Sequence, residues 1–458
     1  MVAFGAALTV EYGSLTQRRT KIIATIGPAQ DPPGALERLL DTGVDVLRVN
    51  LSHASPRAQA ERVRRARAHR PDIAILADLA GPKLRLGDLA EDVKVAHGET
   101  LVLGQGGVPI GDPSLFDRVR TGDPVYIADG TIDLVVTEAA ADRVICQVRV
   151  GGTLRSRKGI NLPLDTSSLP ALTDKDRADL ADIGVLAPDY IAMSYVRHER
   201  DIADARALTD LPLVAKIEKQ QALERLEAIA RAADAIMVAR GDLGVEIPIE
   251  RVPATQKRII RTANLAGRPV ITATQMLMSM VQNPLPTRAE VTDVANAVLD
   301  GTDAVMLSEE TAVGHDPVGA VQMMVRLLVE TEPLLQPHQG PPRAEPSNAL
   351  AHAAADLADD LDAAAIVVPT RTGESALRLA AFRPRRPILA YSRVPETTRR
   401  LHLAWGVRSI DLQVPPGGDP LHATLEAARQ QLGAGARAVV LDISAKAGVA
   451  SLVNAITF

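Results

Sequence analysis

The sequence predicts an α/β fold: a (β/α)8 TIM barrel carrying an inserted β-barrel lid domain and followed by a C-terminal α/β domain. Three observations predict it. Eight short β-branched runs alternate with longer amphipathic segments, the pattern of βα units around a parallel sheet. One long stretch breaks that rhythm with strand-like sequence only. A proline-rich linker then precedes a second set of strands and helices.

The eight runs are 20–26, 44–50, 73–79, 189–195, 213–218, 234–241, 270–275 and 303–309, with helical patterns such as 222–233 and 251–266 between them. Eight parallel strands with return helices suit a closed barrel better than an open sheet. Residues 83–161 read as β-rich. There, 124–128 leads into Asp129-Gly130, a hairpin signal, and then into 131–136. An insertion in a βα loop sits over the C-terminal mouth of a barrel, where a lid belongs. Pro333, Pro337, Pro341, Pro342 and Pro346 mark residues 333–347 as a linker. Beyond it, 365–369, 387–390 and 438–442 read as strands among helices. The expected division is barrel 1–82, lid 83–161, barrel 162–335 and C-terminal domain 336–458.

Composition narrows the class. Of 458 residues, 46% are hydrophobic and 23% charged, a globular balance. Aromatics are only 2%, so Ala, Val, Leu and Ile must fill the cores. A net charge of -5 and a pI near 6.0 argue against a general nucleic-acid binder. The one cysteine, Cys146, has no partner for an internal disulfide and lies in a strand-like run, which reads as packing. Residues 1–19 carry their positive charges after the apolar stretch, the reverse of a secretory signal. No apolar run approaches the roughly 20 residues that span a bilayer. The expectation is a cytoplasmic protein with neither nucleic acid nor membrane as partner.

Side chains at the C-terminal ends of barrel strands converge on one mouth. Those ends supply Arg48, Asn50 and Ser52, then Asp78, then Lys216 and Glu218, then Arg240, Gly241 and Asp242, then Thr274, and finally Ser308, Glu309 and Glu310. Glu218 and Asp242 are hard oxygen donors on neighbouring strands, which suits Mg²⁺. Lys216 and Glu218, two apart, share a strand face. A lysine beside a carboxylate-bound metal can neutralise a transferring phosphoryl group. A Lys–Glu pair stabilising the barrel mouth has the same spacing, and spacing alone leaves both readings open.

In order along the chain, 20–29, 46–53, Ala215-Lys216-Ile217-Glu218-Lys219, 236–246 with its Arg240-Gly241-Asp242, 273–277, 286–290 and 306–312 resemble the motifs of the pyruvate kinase family. The resemblance is strong over residues 19–315 and weaker in the tail. It implies Mg²⁺-dependent transfer of phosphate from phosphoenolpyruvate to ADP, giving pyruvate and ATP, with Mn²⁺ able to replace Mg²⁺. It implies Glu218 and Asp242 as metal ligands and Lys216 as the catalytic lysine. Arg48, Gly241, Asp242 and Thr274 are implied to bind substrate, with Thr274 and Ser308 near the proton delivered to C3. Asn50, His53, Arg85 and Lys158 match nucleotide contacts. The helix after the Thr287–Glu290 capping-box spacing would face another subunit of a homotetramer, with Arg288 as interface residue.

One departure has a physical consequence. Many relatives need K⁺ and carry Asp-Thr-Lys-Gly-Pro-Glu where this chain has Asp78-Leu79-Ala80-Gly81-Pro82-Lys83. Asn50, Ser52 and Asp78 remain as oxygen ligands, but Leu79 offers no side-chain oxygen and Lys83 adds a tethered cation. The expectation is that Lys83 stands in for K⁺, which is then not required. In the tail, Thr370, Arg371, Thr372 and Ser375 resemble the family's loop for phosphorylated effectors. The other effector loop is poorly matched by 444–449. Two other readings stand beside this one. They are a metal-dependent aldolase handling pyruvate enolate and a catalytically inactive phosphosugar sensor.

Overall fold

The computed structural model describes residues 18–52, 54–111, 115–128, 130–162, 170–335, 340–443 and 451–458. Strands β1 (Lys21–Thr25), β2 (Val46–Asn50) and β3 (Ala74–Asp78) open the barrel. The insertion follows as β4 (Leu84–Arg85), β5 (Val93–Val95), β6 (Thr100–Gly104), β7 (Pro124–Ile127), β8 (Ile132–Ala139), β9 (Arg143–Val150), β10 (Gly152–Leu154) and β11 (Gly159–Asn161). The chain returns through β12 (Tyr190–Met193), β13 (Leu213–Ile217), β14 (Ala235–Ala239), β15 (Val270–Ala273) and β16 (Ala304–Leu307). The barrel closes in the order β1-β16-β15-β14-β13-β12-β3-β2, every pair parallel.

Each expected run holds one strand, trimmed by one or two residues at one end or both. Alternation builds two cores from one sheet. Ile23, Val46, Leu76, Val214, Met237, Ile271 and Met306 fill the barrel interior. Their neighbours Ile22, Ala24, Leu47, Val49, Ile75 and Ala77 face the helices. With so few aromatics, the packing is mainly aliphatic, Tyr190 being the aromatic member of the interior cluster.

The insertion is an antiparallel sheet in the order β4-β11-β7-β8-β9-β6, with β10 paired to β5. It has its own core, from Leu103, Val125, Ile127, Leu134, Val144, Val148 and their neighbours. Cys146 is fully buried there in β9, and burial pushes its thiol up to about 12. The hairpin residue Asp129 lies outside the described residues.

At the linker, a 3-10 turn, Glu332–Leu334, and a helix, Pro346–Asp360, bound the proline-rich stretch, of which 336–339 lie outside the described residues. The C-terminal domain then adds β17 (Ala365–Pro369), β18 (Ile388–Ser392), β19 (Val407–Asp411), β20 (Arg437–Asp442) and β21 (Leu452–Thr457). They form one sheet, β19-β18-β17-β20-β21, parallel except for the last pair. The sequence reading had passed over β19 and β21, whose half-exposed residues lack a continuous apolar run.

This domain caps the N-terminal end of the barrel. Leu403 packs into the barrel-interior cluster, and Tyr190 donates to the Arg400 carbonyl at 3.0 Å. Arg383 makes a buried two-pronged ion pair with Asp303, at 2.7 and 2.9 Å, and its guanidinium lies over Trp405. The opposite end, beneath the lid, stays open for chemistry.

Candidate active site

The mouth is organised around two groups of charge. In the first, Asp78 at the end of β3 takes both Arg48 Nε (2.7 Å) and Lys216 Nζ (3.2 Å). Asp78 is 1% exposed. Burial opposes its ionisation, but Lys216 and Arg48 outweigh that and hold its pKa below the ordinary carboxylate range. Arg48 is oriented a second time by Thr25 Oγ1 at 3.1 Å. Lys216 donates to Ser194 Oγ at 2.7 Å and lies 3.1 Å from Glu218 Oε1. Burial works against its ammonium, yet Asp78 and Glu218 together raise its pKa above that of free lysine. Lys216 therefore stays charged through the whole physiological range.

The second group centres on Asp242, in the first turn of the helix Arg240–Glu246 that follows β14. Its Oδ1 receives Lys83 Nζ at 2.8 Å, Tyr195 OH at 3.0 Å and Asn161 Nδ2 at 3.1 Å. Burial would raise Asp242; Lys83 overcomes it and lowers the pKa. Burial pushes Glu218 the other way, upward, against the pull of Lys216 and with help from the charge on Asp242. Tyr195 ties the carboxylates together, since its backbone N–H donates to Glu218 Oε2 at 2.7 Å. Glu218, buried just past β13, and Asp242, partly buried in the first turn of the helix after β14, repel each other. They make a hard-oxygen pair that fits Mg²⁺, which takes one or two protein carboxylates and completes its shell with substrate oxygens and water.

Thr274 sits just past β15 with φ +68°, and Gln275 follows at +54°. Non-glycine residues there need support from their surroundings. Arg240 supplies it by donating to the Thr274 carbonyl at 2.6 Å, itself anchored on Asp293 at 2.6 Å. The turn aims Thr274 Oγ1 at the Gly241 N–H, 2.9 Å away. Ser308 begins the short helix Glu309–Ala312, its N–H donating to Glu310 Oε2 at 2.7 Å.

Of the expected nucleotide contacts, Asn50 Oδ1 accepts the Ser52 N–H at 3.0 Å. Arg85 lies on β4 and donates to the Arg157 carbonyl at 3.1 Å. Lys158 is exposed beside it, its carbonyl accepting the Leu86 N–H at 2.9 Å. His53 lies outside the described residues. Lys83, expected near Asn50, Ser52 and Asp78, reaches Asp242. The Thr287–Glu290 capping box is formed, and Arg288 is exposed. In the tail, Thr370 Oγ1 accepts the Gly373 N–H at 3.0 Å and Thr397 Oγ1 donates to the Arg371 carbonyl at 2.8 Å. Arg371 and Thr372 are exposed and Ser375 lies in the helix Glu374–Ala380. The second loop, 444–449, lies outside the described residues.

The sequence reading missed Ser194, Tyr195 and the bridging position of Asn161. The first two end the fourth barrel run, so the rule that picked out the other strand ends applied to them equally. Tyr195, with φ +58°, looked like part of an apolar strand. Lys219 and Glu246 were also missed. Lys219 Nζ donates to Glu246 Oε1 at 2.6 Å, with the two side chains 4% and 2% exposed. Burial pushes Glu246 up to about 7, with Lys219 as the main charge opposing it.

A closed barrel with an inserted β-sheet lid, and a mouth holding a lysine, an arginine and two carboxylates suited to a metal, defines a barrel phosphotransferase. A family model described as "Pyruvate kinase, barrel domain" matches residues 17–321, and one described as "Pyruvate kinase, alpha/beta domain" matches residues 348–442. The chain is 44% identical over 415 residues to a pyruvate kinase of Methylorubrum extorquens, covering 86% of each chain. It is 41% identical over 416 residues to one of Mycobacterium tuberculosis, covering 86% of this chain and 87% of the relative. Against one of Geobacillus stearothermophilus it is 40% identical over 417 residues, covering 85% of this chain and 71% of the relative. The chain belongs to the pyruvate kinase family. Neither the aldolase nor the inactive-sensor reading is favoured by these relatives.

Proposed function

We propose that this enzyme transfers the phosphoryl group of phosphoenolpyruvate to ADP, with Glu218 and Asp242 holding Mg²⁺. The observation that carries it is the Lys216 ammonium, 3.1 Å from Glu218 and bound through Asp78 to Arg48. Arg48 has Nε and one terminal nitrogen committed to Asp78 and Thr25, so its remaining N–H groups are pre-oriented for phosphate. When bound, Mg²⁺ supplies positive charge to the substrate's phosphate and carboxylate oxygens and to the developing enolate. Lys216, charged at every working pH, faces the PO₃ group as it leaves the enol oxygen for the ADP β-phosphate. The enolate takes a proton at C3 near Thr274 Oγ1, with Ser308 joined through water. Gly241 and Thr274, tied by their hydrogen bond, line the carboxylate side of the pocket. Asn50, His53, Arg85 and Lys158 bind the nucleotide, and closure of the lid over them excludes water.

The test is a coupled assay for pyruvate formed from phosphoenolpyruvate with ADP and Mg²⁺. Lys216→Met should lose about 10²–10³-fold in kcat, as when a transition-state charge donor is removed, while still binding Mg²⁺. Full activity in that variant would overturn the assignment.

Lys83 serves in place of K⁺ from beside Asp242 rather than from among Asn50, Ser52 and Asp78. Its ammonium is a cation fixed in the mouth, 2.8 Å from Asp242. Rates in tetramethylammonium chloride should match those in KCl; a rate far below would refute this. A homotetramer in the cytoplasm completes the reading. Exposed Arg288 lies near in sequence to Leu285 (66% exposed), an apolar residue suited to a contact between copies, and light scattering tests the oligomer. Among the described residues no helix is long and apolar enough to cross a membrane. The loop bearing Thr370, Arg371, Thr372 and Ser375 takes a phosphorylated effector; unchanged kinetics across a panel of sugar phosphates and nucleotides would count against it. The proposed division is barrel 1–82 and 162–335, lid 83–161 and C-terminal domain 336–458; most residues of the lid sheet pack in a cluster of their own, which supports the two inner boundaries.

A further inference from the structure

The lid joins the barrel through two chain segments that are hydrogen-bonded to each other. β4 and β11 pair antiparallel, Arg85 opposite Gly159 and Leu84 opposite Ile160. The two connections therefore form one ribbon. Its packing is close: a Cβ on Gly159 would collide with the stem of Lys83.

This ribbon is fastened to the mouth at adjacent points. Lys83 and Asn161, one from each segment, both donate to Asp242 Oδ1. The next carbonyl along, Leu162 O, accepts from Lys219 Nζ at 3.1 Å. Lys219 also donates to Glu246 Oε1 at 2.6 Å. Lys219 directly follows Glu218. Glu246 lies one helical turn after Asp242 on the same face of Arg240–Glu246. The two carboxylates assigned to the metal thus sit beside Lys219, which grips the ribbon, and on the helix of Glu246, which holds Lys219.

We propose that Lys219 and Glu246 are positioning residues that clamp the root of the lid to the barrel and, by bracing β13 against the helix after β14, set the spacing of Glu218 and Asp242. The inference rests on the metal role assigned to those two carboxylates. Neither Lys219 nor Glu246 touches the reacting atoms. Their effect runs through the backbone at Leu162 and through their neighbours' placement.

The test is the double variant Lys219→Met/Glu246→Leu in the full chain. Replacing both members of a buried polar pair by apolar residues of similar size often leaves stability intact. Two readouts are taken without substrate or turnover. Amide hydrogen exchange over 84–86 and 159–162 should accelerate about ten-fold or more, because the ribbon opens locally. Mn²⁺ affinity, read by electron paramagnetic resonance, should weaken about 10–100-fold, the usual effect of losing a residue that orients metal ligands. Unchanged exchange and unchanged Mn²⁺ affinity in a folded double variant would overturn the proposal. If that variant does not fold, the unsubstituted enzyme decides. Its ribbon amides should open with the barrel-mouth segments 217–224 and 240–247, and opening together with the lid sheet instead would overturn the clamp. A pyruvate assay on the unsubstituted enzyme tests the assigned reaction separately.

Discussion

Replacing Asp78 by asparagine keeps the shape of the side chain and removes the one charge that Arg48 and Lys216 share. The carboxylate is 1% exposed, with Arg48 Nε at 2.7 Å and Lys216 Nζ at 3.2 Å. Removing one partner of a buried ion pair costs about 3–5 kcal/mol. Lys216 retains Glu218 at 3.1 Å, so Arg48 bears most of the loss and the lower figure, about 3 kcal/mol, applies. At about 2–4 °C per kcal/mol for a domain of this size, the melting temperature should fall by roughly 6–12 °C. The released guanidinium should also cost activity, about 10²-fold in kcat/KM for a displacement near 1 Å. Calorimetry and the coupled pyruvate assay measure both. The pH dependence has a definite sign. The folded-state pKa of Asp78 is depressed, so its contribution is present above the unfolded value near 3.9 and is lost as pH falls through the folded one. The gap between parent and variant should therefore narrow below about pH 4. A variant melting within about 2 °C of the parent at neutral pH, or a gap that persists unchanged in acid, would refute this role of Asp78 as the shared partner of Arg48 and Lys216.

Two further outcomes are expected. Arg383→Met should remove the buried pair that docks the C-terminal domain on Asp303, lowering stability by about 3 kcal/mol and separating the calorimetric trace into barrel and C-terminal transitions. A single unshifted transition would contradict that role. Cys146, buried in the lid with its thiol pushed up to about 12, should resist alkylation by iodoacetamide in the folded enzyme and react on unfolding. Rapid modification of the native protein would show that the lid core opens readily.

The barrel and most of the mouth were legible because both follow from short-range rules. An apolar β run ending in polar residues declares a strand and its C-terminal end together, and that rule alone picked out Arg48, Asp78, Lys216, Glu218, Asp242 and Thr274. It failed where a functional residue looks like part of the apolar run. Tyr195 reads as strand sequence, and only its positive φ turns its hydroxyl onto Asp242. It failed also for Lys83, whose ammonium crosses from the lid connection to Asp242. The expected location near Asp78 is filled by Arg48 and Lys216.

By itself, the amino-acid order determined the alternation of βα units, the place of the inserted lid and which residue types crowd the mouth, since periodicity and composition act over a few residues at a time. Tertiary structure alone decided the pairings: Asp78 shared by two cations, Asp242 gathering donors from three segments, Lys219 reaching the root of the lid. Those contacts join positions up to 159 residues apart in the chain, and charge acts through space, so they exist only once the barrel closes and burial strips the water from around them.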